Sequence, residues 1–83
     1  MNTPARLTVC YYGLLAERRG LSEEPVVTQE TTPAGLFAAL DAEHRLGLAI
    51  ADLRVAVNDE FAAWDRPLRD GDRVALLPPM SGG

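Results

Sequence analysis

Two glycines, Gly82 and Gly83, close this 83-residue sequence, and they are the residues best suited to chemistry. Glycine loses the most backbone freedom on ordering and buries no side chain, so a packed core gains nothing from the pair. A slender Gly-Gly end suits a backbone that must thread a narrow channel and present its α-carboxylate to another protein. In that reading the Gly83 carboxylate is the reactive group, Gly82 gives steric access, and Ser81 and Met80 complete the inserting segment. An α-carboxylate ionises near ~3.5 and is a poor electrophile until activated. Fraying is the default behaviour of a chain end, so the rest of the sequence has to decide between the two.

Little else in the chain can do chemistry alone. Cys10 is the single cysteine and His44 the single histidine, which rules out an internal disulfide and a structural zinc site built from this chain's own Cys and His. Cys10 sits within an apolar strand pattern, where a lone thiol packs, so it is not expected to carry sulfur. His44 lies near a predicted helix end with no nucleophile close in sequence, and suits a favourable helix C-terminal charge. Asp70 and Asp72 flank Gly71 and suit turn geometry, or association with arginines on a partner. No metal site is expected, and the chain is not expected to be an enzyme on its own.

All eight basic residues are Arg. Without Lys the chain offers no side-chain amine to an isopeptide bond, so it can donate its C-terminus but cannot polymerise through its own side chains. A net charge of −4 argues against a nucleic-acid surface. No apolar run approaches membrane-spanning length, and Met1 to Arg6 lacks the pattern of a signal peptide. A cytoplasmic protein is the expectation.

The elements that must position the tail follow from periodicity. Arg6 to Tyr12 alternates as a strand, with Leu7, Val9 and Tyr11 on one face. Leu14 to Arg19 predicts a short helix stopped by Gly20. Pro25 to Glu30 is β-branched and predicts a second strand. Thr32-Pro33 starts the main helix, as N-cap and first helical residue, and the helix runs to about Arg45 with Gly47 closing it. Leu53 to Val57, Glu60 to Trp64 and Arg73 to Leu77 predict the last strands, with turns at Asn58-Asp59 and Asp70-Gly71. The class is α+β, a mixed sheet packed on one main helix. Leu7, Val9, Val74 and Leu76 would face Leu36, Phe37 and Leu40. The other sheet face would carry Tyr12, Ala75 and Leu77 uncovered, which marks a partner site. Phe61 and Trp64 fit either core or surface.

The run Asp65-Arg66-Pro67-Leu68-Arg69-Asp70-Gly71-Asp72-Arg73-Val74-Ala75-Leu76-Leu77-Pro78-Pro79-Met80-Ser81-Gly82-Gly83, with Val55 to Glu60 before it, resembles the MoaD/ThiS ubiquitin-like sulfur carriers, the molybdopterin synthase small subunits above all. Gly13-Leu14-Leu15-Ala16-Glu17-Arg18-Arg19-Gly20 resembles that family's short first helix. The departures are Gly13, where the family often has Ala, and Met80, where it often has a small apolar residue. The resemblance implies a ubiquitin-like β-grasp over residues 1–83, with a flexible tail at 78–83. It implies that an E1-like (MoeB-like) enzyme uses ATP to adenylate Gly83. A cysteine desulfurase or rhodanese then supplies sulfur, giving a C-terminal thiocarboxylate, and the chain itself binds no cofactor. The tail then enters a MoaE-like large subunit, where the sulfur builds the dithiolene of molybdopterin. Tyr12, Phe61, Leu77, Pro78 and Pro79 are placed by the resemblance at the partner-facing surface. Neither nucleic acid nor a membrane is expected as a partner. A thiazole-pathway (ThiS-like) carrier, a protein modifier joined through Gly83, and a plain binding module stand as alternatives.

Overall fold

A computed structural model of the chain describes residues 3–79. The elements are β1 (Ala5–Tyr11), α1 (Gly13–Arg19), β2 (Glu23–Thr28), α2 (Pro33–His44), a 3-10 turn (Ile50–Asp52), β3 (Arg54–Val57), β4 (Glu60–Ala62) and β5 (Arg73–Leu77). They form one five-stranded sheet in the order β2-β1-β5-β3-β4. β5 runs parallel to β1, and the other pairs are antiparallel. The last strand in sequence is therefore the middle strand of the sheet.

Alternation along the strands produces the two-faced sheet. Leu7, Val9, Tyr11, Val55, Val57, Val74 and Leu76 point to one face, where Leu36, Phe37 and Leu40 of α2 and Leu15 of α1 meet them. Val9, Leu15, Val74 and Leu76 are wholly buried, each worth about 1.5–3 kcal/mol relative to exposure. α2 begins as its sequence dictates: the Thr32 hydroxyl accepts from the Gly35 N–H at 3.1 Å, and Pro33 occupies the first turn.

Several boundaries move from the sequence expectation. β2 starts at Glu23 rather than Pro25, because Glu23 and Glu24 have partners that hold them in the ladder. Pro25 is tolerated because β2 is an edge strand. α2 ends at His44 with Arg45 as a left-handed cap at φ 54°, so Gly47 is not its stop. Gly47 lies in the following loop at φ 73°, its N–H bonded to Asp41 Oδ1. The return strand after the Asn58-Asp59 turn covers only Glu60–Ala62. Trp64 leaves the ladder and packs edge-on against Phe37, with ring centroids 6.4 Å apart.

Candidate functional site

The middle strand β5 delivers the chain to one end of the sheet. It is pinned there at both of its own ends. At the start, Asp72 is buried; its carboxylate accepts from Asn58 Nδ2 at 2.9 Å and from the Arg69 N–H at 2.8 Å. Asn58 in turn accepts from the Arg73 N–H at 3.0 Å, and Asp70 accepts from the Arg6 N–H at 2.8 Å. The two aspartates thus tie the Asp70-Gly71 turn to β1 and to the β3–β4 hairpin. Asp72 has spent its acceptors internally and is not a partner-facing charge.

At the other end of β5, Leu77 and Pro78 are half-buried and Pro79 is exposed. Tyr12 follows the Tyr11–Leu76 pair by one residue and is half exposed. It has left β1 to become the N-cap of α1. The next residue, Gly13, has φ +54°, and a Cβ there would lie 3.1 Å from Pro78 Cγ. Glycine at this point thus serves both the turn into α1 and the close approach of the tail root.

Phe61 resolves to the surface, 70% exposed, whereas Trp64 is half-buried against the core. Phe61 does not sit directly beside Leu77. Phe61 pairs with Ala56, and Leu77 pairs with Arg54, so Arg54 stands between the two apolar side chains on the same face. Its guanidinium lies over the Phe61 ring, 5.5 Å from the centroid. The open face therefore presents Tyr12, Leu77, Arg54 and Phe61 in sequence across the tail end of the sheet. Arg54 was not singled out in the sequence. Its position at the first residue of a strand, outward in the alternation, was the available signal. Met80, Ser81, Gly82 and Gly83 lie outside the described residues.

Residues 9–83, through both terminal glycines, match the ThiS family. The chain belongs to the ThiS family. It is 34% identical over 80 residues to the molybdopterin synthase sulfur carrier subunit of Escherichia coli K12, covering 93% of this chain and 99% of that one. Among solved structures it is similar to SAMP1 of Haloferax volcanii, 28% identical with TM-score 0.77, covering 95% of this chain and 100% of that one. It is also similar to a chain in the Helicobacter pylori complex of molybdopterin-converting factor subunits 1 and 2, 28% identical with TM-score 0.63, covering 94% and 99%. The fold is the ubiquitin-like β-grasp, and the chain is of the MoaD/ThiS sulfur-carrier type.

Other titratable groups of this ThiS-family chain serve its frame. Glu24 receives a bidentate pair from Arg19, at 2.8 and 2.7 Å, and a bond from Tyr11 Oη at 2.6 Å. The Arg19 hydrogen bonds hold the Glu24 carboxyl below its ordinary value, against the opposing effect of burial. Burial, then the bond to Glu24, pushes the Tyr11 phenol well above its usual range. This cluster locks the C-terminal end of α1 to β1 and β2, and so fixes where Tyr12 and Gly13 leave the sheet. Cys10 is buried although it lies on the open face. The Arg73–Glu23 ion pair, 2.6 Å long, reaches over β1 from β5 to β2 beside it. Burial raises the Cys10 thiol above its ordinary value, with Arg73 opposing, which disfavours the nucleophilic thiolate. His44 ends α2 as expected, 3.7 Å from Glu43. Among the described residues no helix is long and apolar enough to cross a membrane.

Proposed function

We propose that this chain carries sulfur as a thiocarboxylate on Gly83 and donates it in molybdopterin synthesis as the small, non-catalytic subunit of the synthase. The observation that carries the reading is positional. The middle strand of the sheet ends in Leu77-Pro78-Pro79, at the edge where Tyr12, Arg54 and Phe61 are exposed. A tail rooted there leaves the domain beside a ready docking face. The family match that runs through Gly83 and the likeness to the E. coli carrier subunit support it.

The chemistry follows from what a carboxylate lacks. An E1-like partner joins the Gly83 carboxylate to the AMP moiety of ATP, releasing pyrophosphate. The terminal sulfur of a persulfide displaces AMP, and a thiol cleaves the resulting acyl disulfide to leave the thiocarboxylate. The large subunit takes the tail and passes the sulfur to the pterin precursor, and water returns Gly83 to a carboxylate. This chain contributes position. Four residues beyond Pro79 reach roughly 13 Å when extended, and Pro78-Pro79 restrict the root from which they extend. The partners supply base, nucleotide and sulfur, and the process is assigned to the cytoplasm.

Intact mass after co-expression with the host's activating enzyme and sulfur donor tests the reading. A gain equal to sulfur for oxygen, mapped to Gly83 and absent when Gly83 is deleted, is expected. An unchanged mass, with the enzyme active on a control carrier, rejects it. The likeness to SAMP1, a small archaeal modifier protein, favours a second reading as a modifier joined to amines of other proteins. Higher-mass covalent adducts in cells, lost on deleting Gly83, would select that reading. Rescue of a strain lacking molybdenum-cofactor enzymes, but not of a thiamine auxotroph, would select the first over a thiazole carrier.

A further inference from the structure

Arg54 is the residue on the docking face whose charge the chain itself leaves unanswered. The strand positions on that face carry Arg6, Arg54 and Arg73 against Glu23. Arg73 is taken by Glu23, and Arg6 lies at the far end of the sheet, paired with Val27. Among the described residues the Arg54 guanidinium has no ion pair and donates no hydrogen bond. Its one contact of note is the Phe61 ring beneath it, 5.5 Å from the centroid. An aromatic face holds the planar cation by its quadrupole and leaves the N–H edges free.

The position makes that freedom consequential. Arg54 is the cross-strand neighbour of Leu77, the last residue of β5, and Phe61 lies on its other side. Any protein that receives the tail and covers Leu77 and Phe61 must cover Arg54 as well. A guanidinium stripped of water without an acceptor is costly. A carboxylate satisfies it with two parallel charge-assisted bonds. The chain as a whole carries −4, so a partner's carboxylate is repelled in general and needs a local cation such as Arg54 to meet it.

We propose that Arg54 is a specificity-determining residue, received by a carboxylate on the surface of the large subunit that accepts the tail. The proposal rests on the carrier function proposed above and deepens it by naming the chemistry of the partner's docking surface. Complementary charge across an interface steers encounter and selects the partner, so Arg54 acts on association and leaves the transfer step alone.

The test uses the full chain, loaded as thiocarboxylate by chemical cleavage of an intein fusion with sulfide, so that loading does not depend on the activating enzyme. Wild type, Arg54→Lys, Arg54→Gln and Arg54→Glu are titrated against the host's molybdopterin synthase large subunit. Sulfur transfer is followed at about 0.02 M and about 0.5 M salt, conditions of long and short screening length. Arg54→Glu should raise KM at least about 10-fold at low salt with kcat unchanged, and the penalty should shrink at high salt. Arg54→Gln should fall between, and Arg54→Lys should recover most of the wild-type value. All four should melt within a few degrees of one another, as exposed substitutions do. A wild type that transfers sulfur while Arg54→Glu matches it within about 2-fold overturns the proposal alone. A salt-independent defect, or one in kcat only, also overturns it. A loaded wild type that transfers nothing rejects the carrier reading, and this proposal with it. Self-association of the wild type, abolished in Arg54→Glu, would make the occupant a second copy of this chain and overturn the assignment to the large subunit.

Discussion

Replacing Asp72 by Ala removes a carboxylate that organises the start of β5, and the cost can be worked from its partners. Two hydrogen bonds to a charged acceptor disappear, from Asn58 Nδ2 at 2.9 Å and from the Arg69 N–H at 2.8 Å. Hydrogen bonds to charged groups contribute about 1.5–3 kcal/mol each. Arg69 and Asn58 are exposed residues, so their freed donors can turn partly to water, and the sum falls to about 2–4 kcal/mol. For a domain of this size that is a melting-point drop of about 10–25 °C. Asp72→Asn keeps an oxygen for the Arg69 N–H but turns an NH2 toward Asn58. The Asn58 amide cannot flip without losing its bond from the Arg73 N–H. Asp72→Asn should therefore cost about half as much, about 1–2 kcal/mol. Urea unfolding followed by circular dichroism reads both values, with the denaturant slope unchanged. Asp72→Ala within about 0.5 kcal/mol of wild type would refute the argument that this carboxylate holds the strand leading to the tail.

Three further outcomes are expected. Leu76→Ala, at a wholly buried position in the middle strand, should lower unfolding free energy by about 2–5 kcal/mol, measured in urea. Glu24 has a folded-state carboxyl value below its unfolded one because Arg19 bonds the charged form. Its stabilisation is therefore present above the unfolded value and is lost as pH falls through the depressed folded value. Glu24→Gln should flatten the acid limb of a stability-against-pH curve relative to wild type, and an unchanged limb would count against that role. Cys10→Ala should leave thiocarboxylate formation at Gly83 unchanged, and in the wild type the buried thiol should react slowly with a thiol reagent under native conditions. Loss of sulfur loading in the alanine variant would reinstate Cys10 as a carrier.

Local chemistry made much of this protein legible from its residues. The strand alternation of β1 and β5, the Thr32-Pro33 helix start and the Asn58-Asp59 turn each depend on neighbours in sequence, and each appears where the pattern put it. The apolar set that faces α2 follows from the same alternation. Tyr12 and Leu77 at the tail end also followed from alternation, whereas the exposed Phe61 followed from the family resemblance, since neither periodicity nor composition distinguishes an outward Phe61 from an inward one. Where strand boundaries moved, a partner outside the strand decided. Glu23 and Glu24 entered β2 because Arg73 and Arg19 receive them, and Trp64 left β4 because Phe37 offers an aromatic edge contact.

By itself the sequence determined the element types and the apolar face of the sheet, because these rest on backbone preference and periodicity within a few residues. Only the tertiary structure decided what surrounds the tail root. Parallel pairing with β1 makes the last strand the middle one, and that pairing brings Tyr12 and Gly13 to Leu77 and Pro78 across more than sixty positions of chain. Pairing with β3 sets Arg54 between Leu77 and Phe61. Such neighbours are chosen by strand register, a long-range property that a one-residue slip would invert, and no local pattern in the chain records it.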